Sequence, residues 1–173
     1  MTGRILVAGI GNIFLGDDGF GVEVVRRLAG AELPADVEVV DIGIRGMHLA
    51  YQLLDGYDAL VMIDATPRGG TPGQLYVLEP DLAAIPDDDG SLLNAHGMQP
   101  DAVLALLRTL SRDVVDGTPT EVVGRVLVLG CEPQSVDEGM GLSAPVAAAV
   151  EPAVELLQQV LRTELCDAPA GRL

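Results

Sequence analysis

The side chains that could do chemistry sit at recurrent places in this sequence. Asp17 and Asp18 follow the first apolar run. Asp41 closes the second, Asp64 closes the third, and His96 stands a few residues before Pro100. If the apolar runs are parallel strands, these residues meet beyond the carboxyl ends of the sheet, where open α/β sheets bind ligands. Two carboxylates and an imidazole at one rim make a site for a divalent transition metal. The residues come from separate segments, so no spacing motif announces such a site. Each also has a plainer reading. Asp17 and Asp18 can cap a helix start. Asp64, in Asp64–Ala65–Thr66–Pro67, can form an Asx-turn, and Asp41 can tie down its own loop. His96 can cap the helix that follows, and His48 reads as a surface or packing residue. Cys131, in Gly130–Cys131–Glu132–Pro133, reads as a small buried residue in preference to a nucleophile.

The glycine run Gly9–Ile10–Gly11–Asn12 followed by Gly16–Asp17–Asp18–Gly19–Phe20–Gly21 invites a dinucleotide reading. Two features oppose it. The third glycine of that fingerprint would fall at position 14, which is Phe14. Asp17 and Asp18 would also repel the phosphate that a helix N-terminus attracts. A P-loop is excluded because all ten basic residues are arginines. No GxSxG elbow and no HExxH helix is present.

The elements that would position these residues alternate between strand and helix. Arg4–Ile10, Val37–Asp41, Asp58–Asp64 and Val122–Leu129 read as strands. The unbroken Leu60–Val61–Met62–Ile63 run is expected where both faces of a sheet are covered. Gly19–Ala29 carries Phe20, Val24, Val25 and Leu28 at helical spacing. Met47–Leu54, Pro100–Leu110 and Ser143–Leu161 read as further helices, the last with Pro152 as a place to bend. Gln74–Leu78 is a strand reached by a short return over Arg68–Gly73, so it runs antiparallel. Asp81–Asn94 reads as a polar loop with a solvated acidic run at Asp87–Asp89, and residues from about 165 onward as a frayed tail. The pattern specifies one α/β domain over residues 1–173. It has three layers, α/β/α, on a mostly parallel twisted sheet of about five strands, one of them antiparallel.

Composition narrows the partners. With 173 residues the chain buries enough surface to fold as one domain without disulfides or a structural metal. The net charge of −16 disfavours nucleic acid and anionic membrane surfaces. No apolar run approaches the ~20 residues of a membrane span. No signal peptide is evident at the start, and two cysteines make no disulfide framework, so a cytoplasmic location is expected.

The segment Gly9–Ile10–Gly11–Asn12–Ile13–Phe14–Leu15–Gly16–Asp17–Asp18–Gly19–Phe20–Gly21 resembles the opening motif of the nickel–iron hydrogenase maturation proteases. Asp41–Ile42–Gly43–Ile44–Arg45–Gly46, Ile63–Asp64–Ala65, His96 ahead of its helix, Gly130–Cys131–Glu132–Pro133 and Gly141–Leu142–Ser143 are similar to the family's later motifs. The resemblance spans about Arg4 to Leu161. It implies an endopeptidase, often classed as aspartic-type, that removes the C-terminal extension of a nickel-loaded hydrogenase large-subunit precursor. Carried over by position, the metal ligands are Asp18, Asp64 and His96. Asp41 is the candidate catalytic residue, orienting substrate or activating water, and Gly43 and Ile44 are expected on the substrate side. Many members carry a hydroxyl-bearing residue where this chain has Ile44. The metal is expected to be the substrate's own nickel, with zinc or cadmium able to substitute in vitro. No organic cofactor is expected, and the precursor is the expected partner of a monomer. Two rival readings are a Rossmann-like nucleotide-binding module and a non-catalytic nickel-binding assembly chaperone.

Overall fold

The computed structural model describes residues 3–85, 100–115, 117–118 and 122–166. Its strands are β1 (Ile5–Ile10), β2 (Val37–Gly43), β3 (Tyr57–Ala65), β4 (Leu75–Leu78) and β5 (Val123–Cys131), in sheet order β2-β1-β3-β5-β4. Its helices are α1 (Phe20–Leu28), α2 (Gly46–Leu53), α3 (Pro100–Val115) and α4 (Ala144–Val160). β1 pairs in parallel with β2 and β3, and β3 with β5. Among the described strands β4 alone runs antiparallel, with Leu75 opposite Cys131 and Leu78 opposite Val128. The short return over Arg68–Gly73 has no room for a parallel crossover.

The three layers follow from the period of two along each strand. Val7, Val61, Ile63, Leu127 and Leu129 face one side and pack with α1 and α4. Leu6, Ala8, Leu60, Met62, Val126 and Val128 face the other and pack with α2 and α3. β1 is buried along its whole length and β3 at every position but Asp58. That burial is why their sequences read as continuous apolar runs, without alternation.

Pro152 does not break α4, which runs on to Val160 and ends in a π-type turn over Leu161–Cys166. Glu164 in that turn is held by Arg125, which also grips Glu79. The stretch expected as a loop from Asp81 opens with a short 3₁₀ turn, Leu82–Ala84, where Asp81 accepts from the Ala83 N–H and Leu82 is buried. The acidic run Asp87–Asp89 lies outside the described residues. One irregularity bears on the site. The β1–β2 register slips between Gly9 and Ile10, so Gly9 faces Asp41 but Ile10 faces Gly43. Ile42 is the extra residue, and it is buried against the α2 side of the core. Bulges of this kind re-aim neighbouring side chains.

Candidate functional site

The carboxyl ends of β1, β2 and β3 form one rim. β1 leads into a loop in which Gly11 has a φ of +130°, a conformation open to glycine. A side chain there would also collide with the chain. Its Cβ would stand 1.9 Å from the Asp18 carbonyl oxygen and 3.5 Å from Asp64 Oδ1. Gly11 therefore lets the Gly16–Gly19 3₁₀ turn close down onto the end of β3. That closure brings Asp18 beside Asp64.

Asp64 is buried, and its Oδ1 accepts the Ala65 N–H at 2.8 Å. Burial pushes its carboxyl well above the usual carboxylate range. The negative charge of Asp18 pushes the same way, and the Ala65 hydrogen bond only partly opposes them. Asp18 is half-buried, and its Oδ2 accepts the Asn12 N–H at 2.7 Å. Two acidic groups held together, one of them short of hydration, form a place that a cation would relieve. The arrangement also weighs against a nucleotide. The Asn12 N–H, which a phosphate on this loop would need, is already given to Asp18.

Asp41 and Gly43 border the same rim. A Cβ on Gly43 would lie 3.7 Å from Asp41 Oδ1 and 3.9 Å from the Gly11 carbonyl oxygen. The Asp41 side chain is exposed, with Arg26 Nε at 4.0 Å, and Arg45 Nη2 donates to the Asp41 carbonyl at 2.5 Å. Ile44 stands 55% exposed beside Phe14 at 60%, and both line a groove with Ile13, Arg26 and Asp41. The rim thus unites Asp18, Asp41, Asp64 and Gly43, with Ile44 at its margin. His96, the expected third metal ligand, lies outside the described residues. Among the described residues no three His, Cys, Asp or Glu side chains group closely enough to hold a metal ion. His48 is an exposed residue of α2.

Two residues here depart from what the sequence suggests, and a third follows it. The capping role open to Asp17 is not the one it takes, since neither the 3₁₀ turn nor α1 has a side-chain cap. Its fully buried carboxylate instead accepts from the backbone N–H groups of Gln134, Ser135 and Ser143 and from the Ser143 hydroxyl. Burial alone would raise its pKa, yet these donors outweigh it and the carboxyl is held below its ordinary value. Nothing in the sequence assigns Glu132 a role of its own. It is buried and accepts from the Arg68 and Gly69 N–H groups and the Tyr76 hydroxyl, at 2.8, 3.2 and 2.8 Å. It thereby ties the turn after β3 to the end of β5. Cys131 is buried, with its thiol pushed up to about 12 by burial and by the nearby Asp17 and Glu132 charges. A thiol so hard to ionise is no nucleophile at neutral pH, which agrees with its reading as a packing residue.

Fold and rim together define a three-layer α/β protein with an acidic site at the carboxyl edge of its sheet. Comparison with known proteins makes this specific. A family model described as hydrogenase maturation protease matches residues 22–160. The chain is 34% identical over 163 residues to hydrogenase expression/formation protein HupD of Rhizobium leguminosarum bv. viciae, covering 92% of this chain and 75% of that one. It is 31% identical over 161 residues to the hydrogenase 2 maturation protease of Escherichia coli (strain K12), covering 92% and 91%. The solved structure of the hydrogenase maturating endopeptidase HybD from E. coli superposes with a TM-score of 0.70, at 29% identity over 92% of each chain. The chain belongs to the hydrogenase maturation protease family and is a peptidase. Among its described residues no helix is long and apolar enough to cross a membrane.

Proposed function

We propose that this protein is the endopeptidase that removes the C-terminal extension of a nickel-loaded hydrogenase large-subunit precursor. The observation that carries the reading is the Asp18–Asp64 pair. It is a buried carboxyl beside a second acidic group, each already holding one backbone N–H and each with oxygen capacity to spare. The nickel belongs to the substrate. Asp18 and Asp64, joined by His96 from the segment before α3, offer it oxygen and imidazole ligands, and the same donors suit zinc or cadmium in vitro. A precursor without metal gains nothing at this pair, so metal loading becomes the condition for docking.

Asp41 is the group placed to act on the peptide. It is exposed on the same rim, and as a base it takes a proton from a water that attacks the scissile carbonyl. The carbonyl carbon gains the water oxygen, the C–N bond breaks, and the departing nitrogen takes up the proton. Gly43 leaves the approach to this carboxylate open, and Ile44 with Phe14 offers an apolar bed for the extended substrate. The aspartic-type label fits this reading through Asp41, although the sheet and rim are unlike a paired-aspartate cleft. The enzyme acts as a cytoplasmic monomer, with no organic cofactor.

Intact-mass measurement of precursor incubated with this protein tests the proposal. Nickel-loaded precursor should lose one C-terminal fragment, and nickel-free precursor should stay whole. Nickel-loaded precursor that is bound but never shortened would leave the chaperone reading in its place.

A further inference from the structure

We infer that Asp17 is a positioning residue for this site. Its carboxylate pins the Gln134–Ser143 loop against the first glycine turn, and so fixes the direction in which Asp18 faces. The inference rests on the function proposed above and extends it to a residue that touches neither metal nor substrate.

The geometry begins with two adjacent acidic residues on one 3₁₀ turn, Gly16–Gly19. Successive side chains on such a turn point about 120° apart. Whatever holds Asp17 in one direction therefore sets Asp18 in another. Asp17 is held from four sides. Its Oδ1 accepts the Ser143 N–H at 2.7 Å. Its Oδ2 accepts from Gln134 N at 2.8 Å, Ser135 N at 3.1 Å and Ser143 Oγ at 2.8 Å. All four donors belong to the segment that links β5 to α4. The main chains are laced together beside it. Gly16 N–H donates to Gly139 O and Gly139 N–H to Phe14 O, both at 2.9 Å, and Asp17 N–H donates to Ser135 O at 3.0 Å. A segment more than a hundred residues away in sequence thus fixes the turn on which Asp18 rides. On the other side of the turn, Asp18 turns back to Asn12 N and stands by Asp64.

A carboxylate is the side chain this arrangement requires. Every donor facing Asp17 is an N–H or O–H, and only an ionised carboxylate is acceptor at both oxygens. In Asp17→Asn one oxygen becomes an NH₂ that confronts donors. The turn then loses its anchor while the side chains of the hydrophobic core stay the same.

The test uses the full-length protein, with cadmium or nickel ion as the probe, well below the melting temperature. Asp17→Asn should weaken metal binding by about tenfold or more, the range seen when residues supporting metal ligands are removed. It should lower kcat for nickel-loaded precursor in parallel. Ser143→Ala removes one donor of the four and should produce the same changes on a smaller scale. It carries the test if Asp17→Asn fails to fold. Hydrogen exchange at the Gln134 and Ser143 amides should quicken in both variants, a readout that needs no activity. Folded variants that exchange faster yet bind metal and cleave like the parent would overturn the inference, leaving Asp17 a purely structural clamp. A parent protein that neither binds metal nor cleaves would instead overturn the proposed function itself.

Discussion

Gly9 and Gly21 meet where β1 and α1 touch. A Cβ on Gly9 would stand 2.4 Å from the Gly21 carbonyl oxygen, and one on Gly21 would stand 2.0 Å from Ile63 O and 2.5 Å from Ile10 O. Helix and sheet are in backbone contact here, closer than any side chain allows. The glycines that suggest a nucleotide loop in the sequence thus serve a different end. They let the Gly16–Gly19 turn and α1 settle onto the ends of β1 and β3, which brings Asp18 to Asp64.

Gly21→Ala should therefore be far more damaging than a surface helix substitution, where alanine would stabilise. The colliding atoms are main-chain carbonyls of two buried strands and cannot rotate away. Overpacking of this kind costs about 1–3 kcal/mol, and more where the backbone must move. For a chain of this size that is a fall in Tm of about 2–4 °C per kcal/mol, read by thermal melting. A melt equal to the parent's would show that α1 can shift without cost. Gly30→Ala, with open space around it, is the control.

Asp64 makes a second, signed prediction. Its carboxyl titrates higher in the folded protein than in the unfolded chain, because burial and Asp18 both disfavour its charge. Between those two values the folded state binds more protons than the unfolded state. Stability of the metal-free protein must then decline as pH rises through that window. Asp64→Asn keeps the Oδ1 acceptor for Ala65 and removes the charge. It should raise the metal-free Tm at neutral pH, flatten the pH dependence above the carboxylate range, and abolish precursor processing. Metal binding by the parent should weaken on acidification, since the metal must displace the proton. A lower Tm for Asp64→Asn at pH 7 would show that the charge is compensated in the folded state.

The parts of this site legible in the sequence are the local ones. Asp64 at the end of Leu60–Ile63 and Asp41 at the end of β2 are placed by strand periodicity, and the antiparallel β4 follows from the short turn before it. What could not be read are bonds between distant segments. Asp17 looks like a cap because capping is what a sequence window can show, whereas its partners at Gln134, Ser135 and Ser143 lie more than a hundred positions away. Nothing near Glu132 in the sequence points to Arg68, Gly69 and Tyr76, which enclose it in the fold. The bulge that buries Ile42 and leaves Ile44 exposed depends on how β2 meets β1, a property of the pair and not of either strand.

Cys131 should be chemically silent. With its thiol pushed up to about 12 and its side chain buried, thiolate is scarce at neutral pH. Alkylation by iodoacetamide, followed by peptide mass mapping, should modify Cys131 in denaturant and leave it intact in the native protein. Cys131→Ala should process precursor at the parental rate, with a stability loss of about 1 kcal/mol for the lost packing. Loss of processing in a folded Cys131→Ala protein would make the thiol part of the mechanism.

Asp41→Asn isolates the proposed base from the proposed metal site. The side chain is exposed, and its ion pair with Arg26 is long, at 4.0 Å between half-exposed groups. Such pairs contribute at most about 1 kcal/mol, so the variant should melt within a few degrees of the parent. Asparagine keeps the size and one acceptor oxygen but cannot take a proton from water. Loss of a positioned base costs typically about 10²–10⁴ in rate, so kcat for nickel-loaded precursor should fall by at least about a hundredfold. Cadmium or nickel affinity should stay near the parental value, because Asp18 and Asp64 are left in place. Cleavage at the parental rate would reduce Asp41 to a support for its loop. Lost metal binding would instead put its carboxylate among the ligands, next to Asp18 and Asp64.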